Sequence, residues 1–338
     1  SNTFALDWIG TLPRTLRELE VSFTGVNAGH PFIQKAHYNP WNTQEVNWPP
    51  LLRSLVLSSG AGWIYAKARS LPVDLSVLEV YDDLHMAQAM KAMESLPKAL
   101  SKLRMHFRPP ETPLEEYQQR VHQDLVILPL ALLNLVPRTL EDLSLVNGFG
   151  RWCVVEEKTG GRGGNDDQES MRGVVITLAC ALPPGLRSLR LGSIDLPMAN
   201  DFFAHLPRTL MELDLYIRSD CASVHSISAL PTEHLTTLHL GPSLKNAPDD
   251  QVNHFIASLP RILTSLHLSE IGARQSLIRA DLALLPPKLT RLMVKLPFDL
   301  SLKSFEALPR SITSLVFLRS RRAPNTTVNR TLRGLPRG

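Results

Sequence analysis

The sequence predicts an α/β solenoid: one domain over residues 1–338, with about eleven strand–helix units, a parallel sheet along the concave side and helices along the convex side. Three observations predict it. The phrase Leu-Pro-x-x-Leu-x-x-Leu-x-Leu recurs along the 338 residues. Its copies are almost evenly spaced. Apolar residues at helical period fill most of the intervals. A phrase repeated at this length specifies stacked units, because one unit cannot bury its own apolar face.

The clearest copies are LPRTLRELEV at 12–21, LPKALSKLRM at 96–105, LPPGLRSLRL at 182–191 and LPRTLMELDL at 206–215. LPRILTSLHL at 259–268, LPPKLTRLMV at 285–294 and LPRSITSLVF at 308–317 complete the series. The first core position of each unit is Leu16, Leu52, Leu75, Leu100, Leu140, Leu186, Leu210, Leu235, Leu263, Leu289 and Ile312. Seven of the ten steps between them are 23 to 28 residues; the others are 36, 40 and 46. Within a unit, the proline fixes φ and restricts its predecessor, which sets the turn into the strand. The leucines that follow at period two point inward from a short strand. Segments at 85–96, 198–206, 252–259 and 275–285 then have helical spacing and good helix formers.

From 12 to 318 the chain thus resembles the leucine-rich repeat family. The resemblance implies a horseshoe or arc. Bacterial effector repeats share the Leu-Pro phrase but have shorter units. Pro-containing strand–helix repeats of some protists fit the spacing better. Many family members carry an Asn or Cys after the strand that ties neighbouring backbones together. Here those positions hold Thr24, Gly60, Asp83, Arg108, Gly148 and Ile194. Leucine packing is therefore expected to hold the stack together without an asparagine ladder.

The residues between the leucines should face solvent on the concave sheet. One column contains Glu18, Lys102, Asp142, Glu212 and Arg291. The next contains Glu20, Glu79, Arg104, Arg190, Asp214, His239 and His267, and a third contains Tyr81, His106, Gly192 and Tyr216. Glu18, Glu20, Glu79, Tyr81, Lys102, Arg104, His106, Arg190, Glu212, Asp214, Tyr216, His239, His267 and Arg291 are the candidate contacts. A face that mixes both charges with tyrosines suits a folded protein or a peptide. A phosphate track would be almost wholly basic. His239 and His267 fall in adjacent rows, but two histidines alone make a poor metal site, and none is expected.

Three insertions interrupt the register. Residues 23–48 hold Tyr38, Trp41 and Trp48 in a chain that is only 6% aromatic. This segment either caps the stack or contacts a partner. In 108–135 a longer helix is expected over 114–128, opened by Thr112-Pro113 and two glutamates. In 148–173, Trp152 opens a WCVVEE stretch that reads as a short strand, and GGRGGNDDQES reads as a flexible loop. GGRGG lacks the Lys-Ser/Thr pair of a phosphate loop.

Charge is uneven. Residues 301–338 hold eight basic residues and one acid, net +7 against +4 for the whole chain. Arg319, Arg321, Arg322, Arg330 and Arg333 lie in this basic segment, most of it within 319–338. Such an end can meet RNA or an acidic surface. Cys153, Cys180 and Cys221 are odd in number and widely spaced, so they read as free thiols in a reducing compartment. No stretch approaches 18 apolar residues. No nucleophile, zinc or redox motif occurs.

These readings converge on a non-enzymatic, intracellular protein-interaction scaffold that needs no cofactor, with a protein or peptide as partner. An RNA-associated subunit using the Arg-rich end is the alternative. A second alternative is the recognition part of a ubiquitin ligase or effector whose catalytic domain lies elsewhere. Oligomeric state is not legible.

Overall fold

The repeated proline acts through a four-residue turn. In ten units its carbonyl accepts the N–H of the core residue three positions on, as in Pro13–Leu16, Pro97–Leu100, Pro260–Leu263 and Pro309–Ile312, at 3.0–3.2 Å. Each turn delivers the chain into a strand. The computed structural model describes residues 6–22, 46–58, 71–85, 93–94, 96–108, 125–127, 130–147, 151–153, 165–195, 199–217, 224–241, 249–268, 281–296 and 307–319. Contacts divide the chain into two units: Ser1–Trp152 with Ala181–Leu186, and Cys153–Cys180 with Arg187–Gly338.

In the first unit, a 3-10 turn at Leu6–Thr11 precedes β1 (Glu18–Ser22), β2 (Ser54–Ser58), β3 (Val77–His85) and β4 (Lys102–Arg108). Next come β5 (Leu125–Ile127), α1 (Leu130–Leu135), β6 (Asp142–Asn147) and β7 (Arg151–Cys153). Strands β1, β2, β3, β4 and β6 lie side by side in chain order, every pair parallel. Short β5 and β7 lie off this path. Leu55, Leu57, Leu78, Leu103 and Leu143 are fully buried on one side of the sheet.

The second unit runs α2 (Asn165–Ala181), β8 (Ser188–Asp195), α3 (Ala199–Ala204), β9 (Glu212–Ile217), a 3-10 turn at Val224–Ala229 and β10 (Thr237–Leu240). It continues with α4 (Asp249–Ala257), β11 (Ser265–Leu268), a 3-10 turn at Leu282–Leu284, β12 (Arg291–Leu296) and β13 (Ser314–Arg319). Its six sheet strands are again parallel and in chain order. Leu189, Leu213, Leu238 and Leu266 form the sheet side of the core, and Phe202, Phe203 and Phe255 on α3 and α4 are the largest side chains buried behind it.

Several expected elements differ. The end of the helix expected over 114–128 is a strand at Leu125–Ile127; 109–124 lie outside the described residues. A Leu-Pro sequence disfavours a helix running into the proline and favours one beginning just after it, in keeping with the start of α1 at Leu130. The expected loop GGRGGNDDQES is helical from Asn165, because Asn-Asp-Asp supplies a cap and first-turn acids to the apolar run that follows. Of the strand expected from Trp152, the described part is Arg151–Cys153; 154–157 lie outside the described residues. Helices appear at 198–206 and 252–259, where α3 and α4 stand. Of 275–285, the described part is only a 3-10 turn capped by Asp281, whose side chain accepts the Ala283 N–H at 3.0 Å. Of 85–96, His85 belongs to β3, and 86–92 lie outside the described residues.

Leucine packing is not the whole of the cohesion. Where the residue after the core leucine is serine or threonine, its hydroxyl forms a ladder before the strand. Thr264 Oγ1 donates to the Thr236 carbonyl at 3.2 Å, Thr290 Oγ1 to Thr264 at 3.0 Å and Thr313 Oγ1 to Thr290 at 3.3 Å. Thr236 likewise donates to Met211. In the first unit Ser76 donates to Arg53 and Ser101 to Ser76, both at 3.0 Å. The same carbonyls also accept two backbone N–H groups from the next unit. The role expected of asparagine after the strand is taken by a hydroxyl before it. Arginines that follow the turn proline add a second link: Arg138 Nη1 donates to the carbonyls of Ala181 and Leu182, and Arg261 Nη1 to that of Leu284.

Candidate functional site: the outward sheet faces

Register places the first two solvent columns side by side within each unit. Glu18, Ser54, Val77, Lys102 and Asp142 are successive partners, as are Glu20, Val56, Glu79, Arg104 and Ser144. In the second unit the columns are Ser188, Glu212, Thr237, Ser265, Arg291 and Ser314, and Arg190, Asp214, His239, His267, Met293 and Val316. The third column is broken. Irregularities after Val80 and after Arg190 shift the pairing, so Gly192 lies beside Leu215 rather than Tyr216. Gly192 has φ 64°, a left-handed conformation that glycine adopts without a Cβ clash.

On the first unit's face, five side chains on β3, β4 and β6 form one polar chain. Lys102 Nζ sits 2.5 Å from Glu79. The Tyr81 hydroxyl donates to the same carboxylate. Arg104 bonds to Tyr81 and donates through Nη2 to Asp142 Oδ2 at 2.9 Å. The His106 ring meets Tyr81 edge-on, centroids 5.2 Å apart. Neighbouring side chains bury Glu79 although it lies on the outward face. Burial would raise its carboxyl, but bonds from Lys102 and Tyr81, with the charges of Lys102 and Arg104, outweigh this and hold it below the usual range. Burial, then the bond to Glu79, raises Tyr81. Burial would lower Arg104, but its partners Tyr81 and Asp142 raise it further, so it stays charged. The row of Lys102, Arg104 and His106 is therefore no open basic patch: both of its cations are neutralised by neighbours. Glu18 and Glu20 on β1 are exposed.

The second unit repeats the device. Arg190 Nη2 lies 2.5 Å from Glu212 Oε1, and Ser188 donates to Glu212 Oε2 at 3.3 Å. His239 Nδ1 lies 3.0 Å from Asp214 Oδ1. The His239 ring stacks on that of His267, centroids 3.7 Å apart and planes 23° from parallel. Burial, then the adjoining His239, pushes the His267 imidazole below the usual histidine range, against the pull of Asp214. A metal must lie in the plane of each imidazole that binds it. Two nearly parallel planes at this separation share no point within bonding reach of both rings. Among the described residues, no group of three or more His, Cys, Asp and Glu side chains could hold a metal ion.

Arg291 is exposed on β12, beside half-buried Met293. Tyr216 lies on β9. Trp48 is half-buried next to buried Val46. Trp152 lies on β7, and Arg319 ends β13. Tyr38, Trp41, Arg321, Arg322, Arg330 and Arg333 lie outside the described residues. Cys180 is a free, exposed thiol. Among the described residues no helix is long and apolar enough to cross a membrane. The cross-strand pairing of Glu79 with Lys102 and of Arg104 with Asp142 was not legible from composition. Its signal was the diagonal offset of opposite charges in adjacent rows.

No protein-family profile matches the chain. No curated protein matches it either. Among solved structures it is similar to the leucine-rich repeat-containing protein LegL7 from Legionella pneumophila, at 13% identity and a TM-score of 0.44, over 97% of this chain and 92% of that one.

Proposed function

We propose that the chain is a non-enzymatic scaffold for protein–protein recognition that reads its partner with the outward sheet faces. The observation that carries this reading is that each face is chemically mixed and already ordered. Cross-strand pairs hold Glu79, Lys102, Arg104, Asp142, Arg190 and Glu212 in place. Tyr81 remains 38% exposed at the centre of the first network. Side chains fixed before binding lose less entropy on association, and an anchored tyrosine is a common centre of binding energy. Photo-crosslinking residues at Val56 and Ser265, on the outward faces, and at Thr177 and Gln251, on exposed helical positions, test it in extract from the native source. Adducts with one protein from the outward positions are expected. Adducts confined to the helical positions overturn the reading.

A second reading, an RNA-associated subunit, rests on the charge of residues 301–338. Replacing Arg321, Arg322 and Arg330 by serine should then abolish salt-sensitive RNA binding.

A further inference from the structure

The turns that open the strands of the second unit carry a separate feature. Each strand except β10 is entered past one exposed cation: Arg187 before β8, Arg208 before β9, Arg261 before β11, Lys288 before β12 and Arg310 before β13. The turn before β10 carries Glu233 instead, 4.0 Å from Arg208. Register aligns Arg208, Arg261 and Arg310, each two residues before the core residue, with Lys288 one residue further on and Arg187 three; neighbouring rungs are about 4.8 Å apart, and the β10 rung between Arg208 and Arg261 holds Glu233. The turns are locked by proline carbonyls. Arg261 is also tethered to the Leu284 carbonyl.

We propose that this strand-entry rim is a binding track for single-stranded nucleic acid, gripped through its phosphates. A line of spaced cations on rigid backbone is what phosphate contact requires. An acidic protein segment would need a desolvated apolar centre as well. The rim offers one large exposed apolar side chain, Met211. No aromatic ring stands among the five turns, so binding is tolerant of base sequence and steep in salt. The track does not use the sheet face; it shares Arg310 with the basic segment 301–338 but none of Arg321, Arg322 and Arg330, so their separate replacement distinguishes it from both readings above.

The test uses the full chain and a fluorescein-labelled 20-nucleotide oligouridylate, followed by anisotropy from 50 to 300 mM NaCl. Three to five phosphate contacts give a slope of log K against log salt of roughly −2 to −3.5. Lys288→Ser with Arg310→Ser, two side chains with no ion pair among the described residues, should flatten it by about 1.4. Adding Arg261→Ser should bring the change to about 2, with the unfolding midpoint measured alongside because Arg261 also bonds a carbonyl. An oligoadenylate of equal length should bind within a few-fold. The proposal is overturned by no binding at 50 mM salt, or by an unchanged slope in the double variant. It is also overturned if only the Arg321, Arg322 and Arg330 variant loses binding. Equal competition by polyglutamate of matched charge would assign the rim to an acidic protein. Tighter binding to phosphatidylserine vesicles would assign it to a membrane surface.

Discussion

Replacing Thr290 by valine keeps the β-branched shape and removes one hydroxyl from the ladder before the strands. The Thr264 carbonyl now accepts three donors: the Thr290 N–H at 2.8 Å, the Arg291 N–H at 2.9 Å and the Thr290 hydroxyl at 3.0 Å. Two remain after the substitution, so no buried acceptor is orphaned. The loss is therefore the net worth of one hydrogen bond, about 0.5–1.5 kcal/mol, without the added penalty of an unsatisfied group. Replacing Thr236, Thr264, Thr290 and Thr313 together should cost up to about 2–6 kcal/mol, a large part of a typical domain's stability. Urea unfolding followed by far-ultraviolet circular dichroism measures both, through the midpoint at constant slope. Thr290→Ser retains the hydroxyl and should stay closer to the parent than Thr290→Val. If the valine variant equals or exceeds the parent while the serine variant is weaker, only the methyl group matters and the ladder contributes nothing.

Other substitutions probe the core and the two networks. Leu213→Ala, at a position with 0% exposure, should cost about 3–5 kcal/mol by the same assay. Tyr81→Phe removes the hydroxyl that Glu79 and Arg104 share and should destabilise by about 1 kcal/mol, read as a lower urea midpoint. His267 has a folded-state pKa below its unfolded one, so the unfolded chain binds the extra proton first. Its contribution to stability is therefore intact above the usual histidine range and falls as pH drops through that range towards the folded value. Unfolding midpoints between pH 8 and 5 should show a decline that His267→Phe reduces.

Much of the sheet was legible because its signal is local. Leucines at period two specify which face each residue takes, and the turn prolines specify where each strand starts. Hence the sequence alone places Glu18, Lys102 and Asp142 in one column. The breaks after Val80 and Arg190 could not be placed, since an irregularity depends on how two strands meet. The helix from Asn165 was masked by its glycine-rich approach, although its capping residues were present. The pairing of Lys102 with Glu79 and of Arg104 with Asp142 is hidden in the sequence for a different reason. A column records what stands beside a residue, whereas a long side chain reaches diagonally to the next row. The threonine ladder was visible in principle at Thr236, Thr264, Thr290 and Thr313, but it precedes the strand, opposite to where the family pattern directs attention.

The ladder has a consequence for how such a chain changes length. From Thr236 to Thr313 each rung presents a carbonyl forward and a threonine hydroxyl backward, so the joints between these units are interchangeable. Excising residues 236–263 would bring Thr264 to the place that Thr236 holds against Met211, with donor and acceptor still matched. The described elements behind the sheet range from a three-residue 3-10 turn at Leu282–Leu284 to the 17-residue α2, yet the threonine joints are alike. Duplication or loss of whole units is thereby uncoupled from the identity of the outward side chains, and a binding surface can be lengthened without redesigning the seams.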